Sequence, residues 1–269
     1  MKAIVFLGGG RITTALIAGL QLAKYRRLIL VYDRHPAKLR RLKTVYGVAI
    51  EHDLHRAVEQ ARLLIIAVRP GSMAGLLRAI GKLDRPLAAV SLAAGMPLAN
   101  LRTSLGRGVR WARAMPSPLC RSRRGLTAMA FDRGFPPLAR QEVKRIFSKV
   151  GLTLEIPERK MDAFTVTYSA SHGYHALATL IAAAEQIGLD RRTATTAATH
   201  ALADAMTTSR TGHNSLEALL DEAATPGGTA AAVMDAMDRH GYARAVSQGL
   251  RAGVKHARKI AKLTSGELT

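Results

Sequence analysis

Residues Lys2–Leu20 read KAIVFLGGGRITTALIAGL. An apolar run of strand length ends in three glycines, and an apolar helical pattern starts at once. Few local patterns restrict a fold so tightly. Gly8 permits a tight turn at the end of a strand. Gly10 has no side chain to keep a ligand off the backbone. A helix starting near Arg11, with Ile12 in its first turn, offers free N–H groups and its positive dipole end to an anion. Gly8-x-Gly10-x-x-Thr13 stands where a dinucleotide-binding domain has G-x-G-x-x-G/A, with the pyrophosphate at the helix start. Thr13 is bulkier than the small residue expected where helix and strand pack.

The following segments repeat the strand–helix alternation. Leu28–Asp33 (LILVYD) is an apolar run ending in an acid, about twenty residues past the glycines, where a dinucleotide domain places its acceptor for the ribose hydroxyls. Asp33 in that role favours NAD. Arg34 beside it suits a 2′-phosphate and favours NADP, so the preference stays open. His35-Pro36 opens a basic helix, Gly47–Glu51 reads as a third strand, and Asp53 caps a short helix. Leu63–Val68 (LLIIAV) is uniformly apolar, as a strand buried on both faces must be, and runs into Arg69-Pro70. Leu87–Ala93 ends at Ala94-Gly95. Val109–Met115 breaks at Pro116-Ser117-Pro118. Leu126–Phe131, a helix over Pro137–Val150 and Leu152–Ile156 complete the pattern. The expected fold class is α/β: an N-terminal doubly wound parallel sheet of Rossmann type, with extra strands at one edge, over residues 1–157.

From residue 158 to 269 the character changes. Ala- and Leu-rich helical stretches run through 164–187, 191–208, 215–222, 226–240 and 243–263, with no strand pattern. Ala176–Ala184 (ALATLIAAA) is apolar all round, and a helix without a polar face requires burial on every side. About one hundred residues cannot bury several such helices alone, which predicts an all-helical domain that dimerises. Within it, Thr225-Pro226-Gly227-Gly228-Thr229 reads as a helix start, with Thr225 as N-cap and Pro226 at the first helical position. Two glycines in a first turn cost helix stability but leave N–H groups unshielded. The expectation is a small carboxylate pocket made by Thr225, Gly227, Gly228 and Thr229.

Composition narrows the function. Hydrophobic residues make up 48% of the 269, enough for a large core and against disorder. The one cysteine, Cys120, excludes disulfide staples and a cysteine metal cluster. No metal site is expected, because His172 and His175, three apart, have no further acid or cysteine nearby. Neither a signal peptide nor a membrane span is visible, so a cytoplasmic setting is expected. The 40 Lys+Arg against 19 Asp+Glu give a net charge of +21, which attracts polyanions. The clusters at 38–43, 121–124 and 255–262 are not interleaved with aromatics, so nucleic-acid binding is expected to be nonspecific at most.

The order of these segments resembles the pyrroline-5-carboxylate reductases over nearly the whole length. Phe6–Thr13 resembles that family's F-I-G-A-G-N-M-A. Ala67-Val68-Arg69-Pro70 is similar to A-V-K-P, Ser91–Gly95 to S-I-A-A-G, and Arg113-Ala114-Met115-Pro116 to R-x-M-P. Thr225–Thr229 is similar to S-P-G-G-T, the segment that takes the substrate carboxylate. Departures fall near the chemistry. M-P-N-T-P is Met115-Pro116-Ser117-Pro118 here, S-G-P-A-Y is Ala170–Tyr174, the Q-T pair is Thr199-His200, the second Thr of G-G-T-T is Ala230, and the Asn after the glycines is Arg11.

The resemblance implies NADPH- or NADH-dependent reduction of a cyclic imino acid, most simply 1-pyrroline-5-carboxylate to L-proline. It implies a homodimer through the helical domain, with assembly beyond a dimer left open. The cofactor would lie along Gly8, Gly10, Arg11, Ile12, Asp33, Arg34, Val68, Arg69, Pro70, Ala94 and Met115. The proton source would come from His172, Tyr174 or His200, or from water. A different cyclic imine, or a non-catalytic cofactor-binding protein acting through its basic surface, are the competing expectations. The glycine turn and the Thr225–Thr229 start are expected to form two walls of one cleft.

Overall fold

The computed structural model describes residues 2–102 and 104–268. The chain folds as two compact units, Met1–Tyr168 with Gly253–Thr269, and Ser169–Ala252.

The first unit is built on an eight-stranded sheet in the order β3-β2-β1-β4-β5-β6-β7-β8. The strands are β1 (Ala3–Leu7), β2 (Ile29–Tyr32), β3 (Ala49–Glu51), β4 (Ala61–Ile66), β5 (Leu87–Ser91), β6 (Val109–Pro116), β7 (Gly125–Phe131) and β8 (Gly151–Glu155). β1 pairs in parallel with β2 and β4, so the strand order reverses beside it. In open α/β sheets that reversal is where a ligand crevice opens at the carboxyl ends. β7 runs antiparallel to β6 and parallel to β8, which makes them the expected extra edge strands.

The central strands are apolar throughout because both faces are covered. Ile4 and Phe6 of β1 join one core with Leu16, Ile17 and Phe147, the last three from α1 (Arg11–Leu22) and α6 (Pro137–Ser148). The alternate residues Val5 and Leu7 join the opposite core with Met73, Leu77 and Trp111. The helices between are α2 (Pro36–Tyr46), α3 (Leu54–Glu59), α4 (Met73–Ile80) and α5 (Leu98–Leu101). Asp53 caps α3, accepting a hydrogen bond from the Arg56 N–H at 2.8 Å. α7 (Met161–Thr167) follows β8.

The second unit holds α8 (Ala170–Gln186), α9 (Arg191–Thr211), α10 (Leu216–Ala223), α11 (Thr229–Arg239) and the beginning of α12 (Tyr242–Leu268). Its buried residues are Ile181, Ala194 and Ala198, where α8 and α9 meet. From Gly253 on, α12 belongs to the first unit. A Cβ on Gly95, in the turn after β5, would stand 2.8 Å from the Ala257 carbonyl oxygen, and the Asn100 amide donates to the Ala261 carbonyl at 3.2 Å. The sequence puts one boundary after Pro157. By packing, the chain divides after Tyr168, and the end of α12 joins the sheet unit.

The start of α11 differs from the local reading of the sequence. Thr225 is not its N-cap and Pro226 is not its first helical residue. The helix begins at Thr229, with Gly228 in extended conformation as N-cap. The Gly228 N–H donates to the Thr225 carbonyl at 2.9 Å, and Gly227 has φ +76°. Pro followed by a left-handed Gly makes a type II turn, and this competes successfully with an earlier helix start.

Candidate active site

The glycine turn connects β1 to α1 with a division of labour among its residues. Gly8 has φ +107°, and a Cβ there would lie 2.6 Å from the Ala67 carbonyl oxygen, so the position admits no other residue without strain. Gly10 is the N-cap of α1, extended and without a side-chain cap. A Cβ on Gly10 would meet nothing within 4 Å. The turn is therefore tight where it touches the chain just past β4 and open where the helix begins. The N–H groups of Arg11, Ile12 and Thr13 have no carbonyl within their own helix. Such a cradle, open at the backbone and positive at the dipole end, fits a pyrophosphate. Thr13 is fully buried, and its hydroxyl donates to the Gly8 carbonyl at 2.5 Å. The bulkier residue thus fastens the turn it was expected to crowd.

The other cofactor-site residues inferred from sequence lie at the carboxyl ends of neighbouring strands. Asp33 and Arg34 follow β2. Val68, Arg69 and Pro70 follow β4, with Pro70 opening a short 3-10 turn. Ala94 lies in the turn after β5, and Met115 is near the end of β6. The fold brings all of them to one edge of the sheet.

Asp33 has surroundings the sequence did not disclose. Its side chain is 7% exposed. Oδ2 accepts from the Gly9 N–H at 2.8 Å and lies 3.3 Å from Lys38 Nζ. Oδ1 accepts from the His35 N–H at 2.9 Å and meets His35 Nδ1 at 2.9 Å. Burial alone raises a carboxyl pKa, but the N–H bonds from His35 and Gly9, the His35 ring and the Lys38 charge together hold it below its ordinary value. His35 and Lys38 are functional candidates that the sequence reading passed over. The available signal was their position, two and five residues past the acid at the start of a helix.

Below the end of β6, the Ser117 hydroxyl accepts from the Leu126 N–H at 3.4 Å and the Tyr168 hydroxyl accepts from it at 3.0 Å. Ser117 is buried. Cys120 behind it is buried, and burial pushes its thiol up to about 12, which leaves it unreactive.

In the helical unit, Thr225, Gly227, Gly228 and Thr229 are gathered into the type II turn and the first residue of α11. No side chain caps that helix, so the N–H groups of its first turn, including those of Thr229 and Ala230, lack helical partners. Of the catalytic candidates, His172 and Tyr174 lie in the first turns of α8 and His200 on α9, all exposed. Among the described residues no three His, Cys, Asp or Glu are grouped to hold a metal ion. No described helix is long and apolar enough to cross a membrane.

Comparison with known proteins shows what the chain is similar to. The family described as "Pyrroline-5-carboxylate reductase dimerisation" matches residues 158–260, and the one described as "NADP oxidoreductase coenzyme F420-dependent" matches residues 3–95. The chain is similar to pyrroline-5-carboxylate reductases over nearly its whole length. It is 28% identical to a pyrroline-5-carboxylate reductase of Mycobacterium tuberculosis, over 97% of each chain. Its fold is that of a pyrroline-5-carboxylate reductase of Coxiella burnetii, with TM-score 0.86 and 22% identity over 97% of this chain and 98% of that one. The Plasmodium falciparum pyrroline carboxylate reductase crystallised with NADP bound has the same fold, with TM-score 0.82 and 18% identity over 97% and 98%. The helical segment thus matches that dimerisation domain, and the sheet unit is Rossmann-like.

Proposed function

We propose that this chain catalyses the NAD(P)H-dependent reduction of 1-pyrroline-5-carboxylate to L-proline. The observation that carries the reading is the pairing, in one chain similar end to end to such reductases, of two uncapped helix starts made by glycine. One opens at Gly10 and suits a dinucleotide pyrophosphate. The other opens at Gly228 and suits a small carboxylate.

The bound nicotinamide supplies hydride to the imine carbon. The protein's own part is to hold and orient. N–H groups at Gly10, Arg11 and Ile12 take the pyrophosphate. The strand ends carrying Val68, Arg69, Pro70, Ala94 and Met115 form the floor on the nicotinamide side. The N–H groups at Gly228 and Thr229, with the hydroxyls of Thr225 and Thr229, hold the substrate carboxylate. Fixing both partners supplies most of the rate, because the reaction needs little besides near-attack geometry. A proton must reach the imine nitrogen, and His172, Tyr174, His200 or water provides it. Residues 158–269 serve as the dimerisation and substrate-binding domain.

A second reading has one specific observation behind it. Ala230, in the first turn of α11, presents a methyl where the family has a hydroxyl, which favours a cyclic imine with a different ring. The test is NADPH oxidation with pyrroline-5-carboxylate and with a panel of related cyclic imines. Turnover on the first supports the leading reading, turnover on the others alone replaces it with the second, and cofactor binding without any turnover removes both. Thr229→Val should raise KM for pyrroline-5-carboxylate about tenfold, one hydrogen bond's worth, with dinucleotide affinity unchanged. An equal loss of both would show that Thr229 does not belong to a carboxylate pocket.

A further inference from the structure

The candidate dinucleotide site lies at the carboxyl edge of the sheet, and the opposite, amino edge takes no part in it. The amino edge is basic. The strands stand in the order β2-β1-β4-β5-β6, and Ile29, Ile4, Leu63, Ala88 and Arg110 are paired across them in one row. Arg26 and Arg27 lead into β2, Arg62 is the second residue of β4, Arg85 leads into β5, and Arg107 and Arg110 flank the start of β6. Neighbouring strands are about 4.8 Å apart, so five strands spread these arginines along about 19 Å.

Little of this charge is neutralised. Arg26, Arg107 and Arg110 are exposed, and among the described residues none of them pairs with a carboxylate. The Arg85 guanidinium donates to the Val58 and Ala61 carbonyls at 2.7 and 3.0 Å, and Arg110 donates to the Arg107 carbonyl at 3.2 Å. Carbonyls orient a guanidinium without cancelling its charge. Arg27 and Arg62 converge on one oxygen, Oε1 of Glu142 on α6, with Arg27 at 3.3 Å, so one carboxylate serves two cations. The segments leading into β2, β4, β5 and β6 hold only two acids, Glu59 and Asp84.

The row is also rigid. The Leu83 N–H donates to the Leu105 carbonyl at 2.9 Å and the Leu87 N–H to the Gly108 carbonyl at 3.3 Å, tying the loops before β5 and β6 together. A Cβ on Gly108 would stand 2.9 Å from the Arg85 carbonyl oxygen, so glycine permits this approach. A groove of about 620 Å³ runs between residues 82–86 and 106–108.

Guanidinium forks match phosphate geometry, and a fixed row of them matches a regular line of phosphates without reading sequence. Trp111 is fully buried and Tyr25 packs against the core, so neither offers a face on which unpaired bases could stack. A groove admits the ridge of a sugar–phosphate strand, whereas a flat bilayer surface does not enter it. We infer that the amino edge of the sheet is a docking surface for the phosphate backbone of a nucleic-acid duplex. It is separated from the carboxyl edge by the length of β4, six residues or about 20 Å, and works independently of the reductase site.

Fluorescence anisotropy tests this with labelled DNA and RNA duplexes of about 20 base pairs, over about 50–200 mM salt. Arg26, Arg85, Arg107 and Arg110 are the four arginines without a carboxylate, so log affinity for DNA should fall against log salt with a slope of about −3.6, about 0.9 per phosphate. Arg26→Gln and Arg107→Gln, at exposed positions, should each flatten that slope by about 0.9 and leave dinucleotide affinity unchanged. Arg121→Gln with Arg124→Gln, two exposed arginines between β6 and β7, should leave the slope as it is. Binding of either duplex in this pattern supports the surface, and the tighter of the two identifies its source. No duplex binding at about 50 mM salt, or equal flattening by the Arg121 and Arg124 pair, would overturn the inference. So would phosphatidylserine vesicles that bind more tightly than either duplex and lose that binding in Arg26→Gln and Arg107→Gln.

Discussion

Gly8 and Gly10 stand two residues apart and answer to different demands. Gly8 is held by the protein, with φ +107° and the Ala67 carbonyl against its α-carbon. Gly10 is held open for something outside the protein, since a Cβ there meets nothing. Gly8→Ala should therefore cost about 1–3 kcal/mol of backbone strain, more with the clash, read as a lower midpoint in urea. Gly10→Val should keep the wild-type midpoint and lose most dinucleotide affinity in a fluorescence titration. A Gly10→Val protein that binds as well as the wild type would refute the cradle. Asp33 makes a prediction in pH. Its folded pKa lies below its ordinary 3.8, so its contribution to stability is complete above that value and is lost as pH falls through the folded pKa. The stability gap between wild type and Asp33→Asn in urea should thus be constant from neutrality down to about pH 5, then shrink. A gap that stays constant into the acid range would mean the charge is not what fastens the turn. The position of Asp33 was legible as the end of an apolar run. The direction of its carboxylate was not, because its partner Gly9 is 24 positions away and nothing local records that approach.

Among the elements, strands and caps were the most readable and ligand-facing starts the least. Central strands announce themselves because burial on two faces demands unbroken apolar runs, as in β4. The start of α11 was misplaced because Thr-Pro-Gly-Gly satisfies two local grammars, a capped helix and a type II turn, and only Gly227 at φ +76° distinguishes them. The last helix was legible as a helix, but its periodicity does not say that its end packs on the turn at Gly95. The linkage of β6 to the segment after β8 was also hidden. Arg113 on β6, 2% exposed, meets Glu158 at 3.5 Å and Asp162 at 3.4 Å, whose side chains are 31% and 22% exposed. The asymmetry in burial decides which partner matters. Arg113→Met fills the buried site with apolar volume and leaves two carboxylates that water can reach, so the loss should be about 1–2 kcal/mol. Glu158→Gln with Asp162→Asn strands a buried guanidinium, whose cost is about 3–5 kcal/mol. Chemical denaturation of both proteins checks the order. The reverse order would show that the carboxylates, not the arginine, bear the desolvation.

At the scale of the whole molecule, the helical unit is short of a core. Its buried residues are Ile181 and two alanines, while Tyr174, Ile187, Met206, Leu216 and Val233 are each more than half exposed. Ordering each residue costs about 1–2 kcal/mol, and burying a large apolar side chain returns about 1.5–3 kcal/mol. With one large side chain buried, the unit cannot hold itself together as seen in a single chain. A partner chain must cover the remaining apolar faces, over an area in the obligate class of about 2,000 Å² or more. Folding of this unit is then coupled to association, and its melting temperature should rise with protein concentration. Calorimetric scans over a hundredfold concentration range should show that rise in the wild type. Met206→Glu with Val233→Glu should remove it, halve the mass in sedimentation equilibrium and abolish the transition of the helical unit. The sheet unit, with both its faces covered by its own helices, should retain its cooperative melt in the same protein. A monomeric double variant that keeps all its helix at low concentration would show that the unit needs no partner to fold.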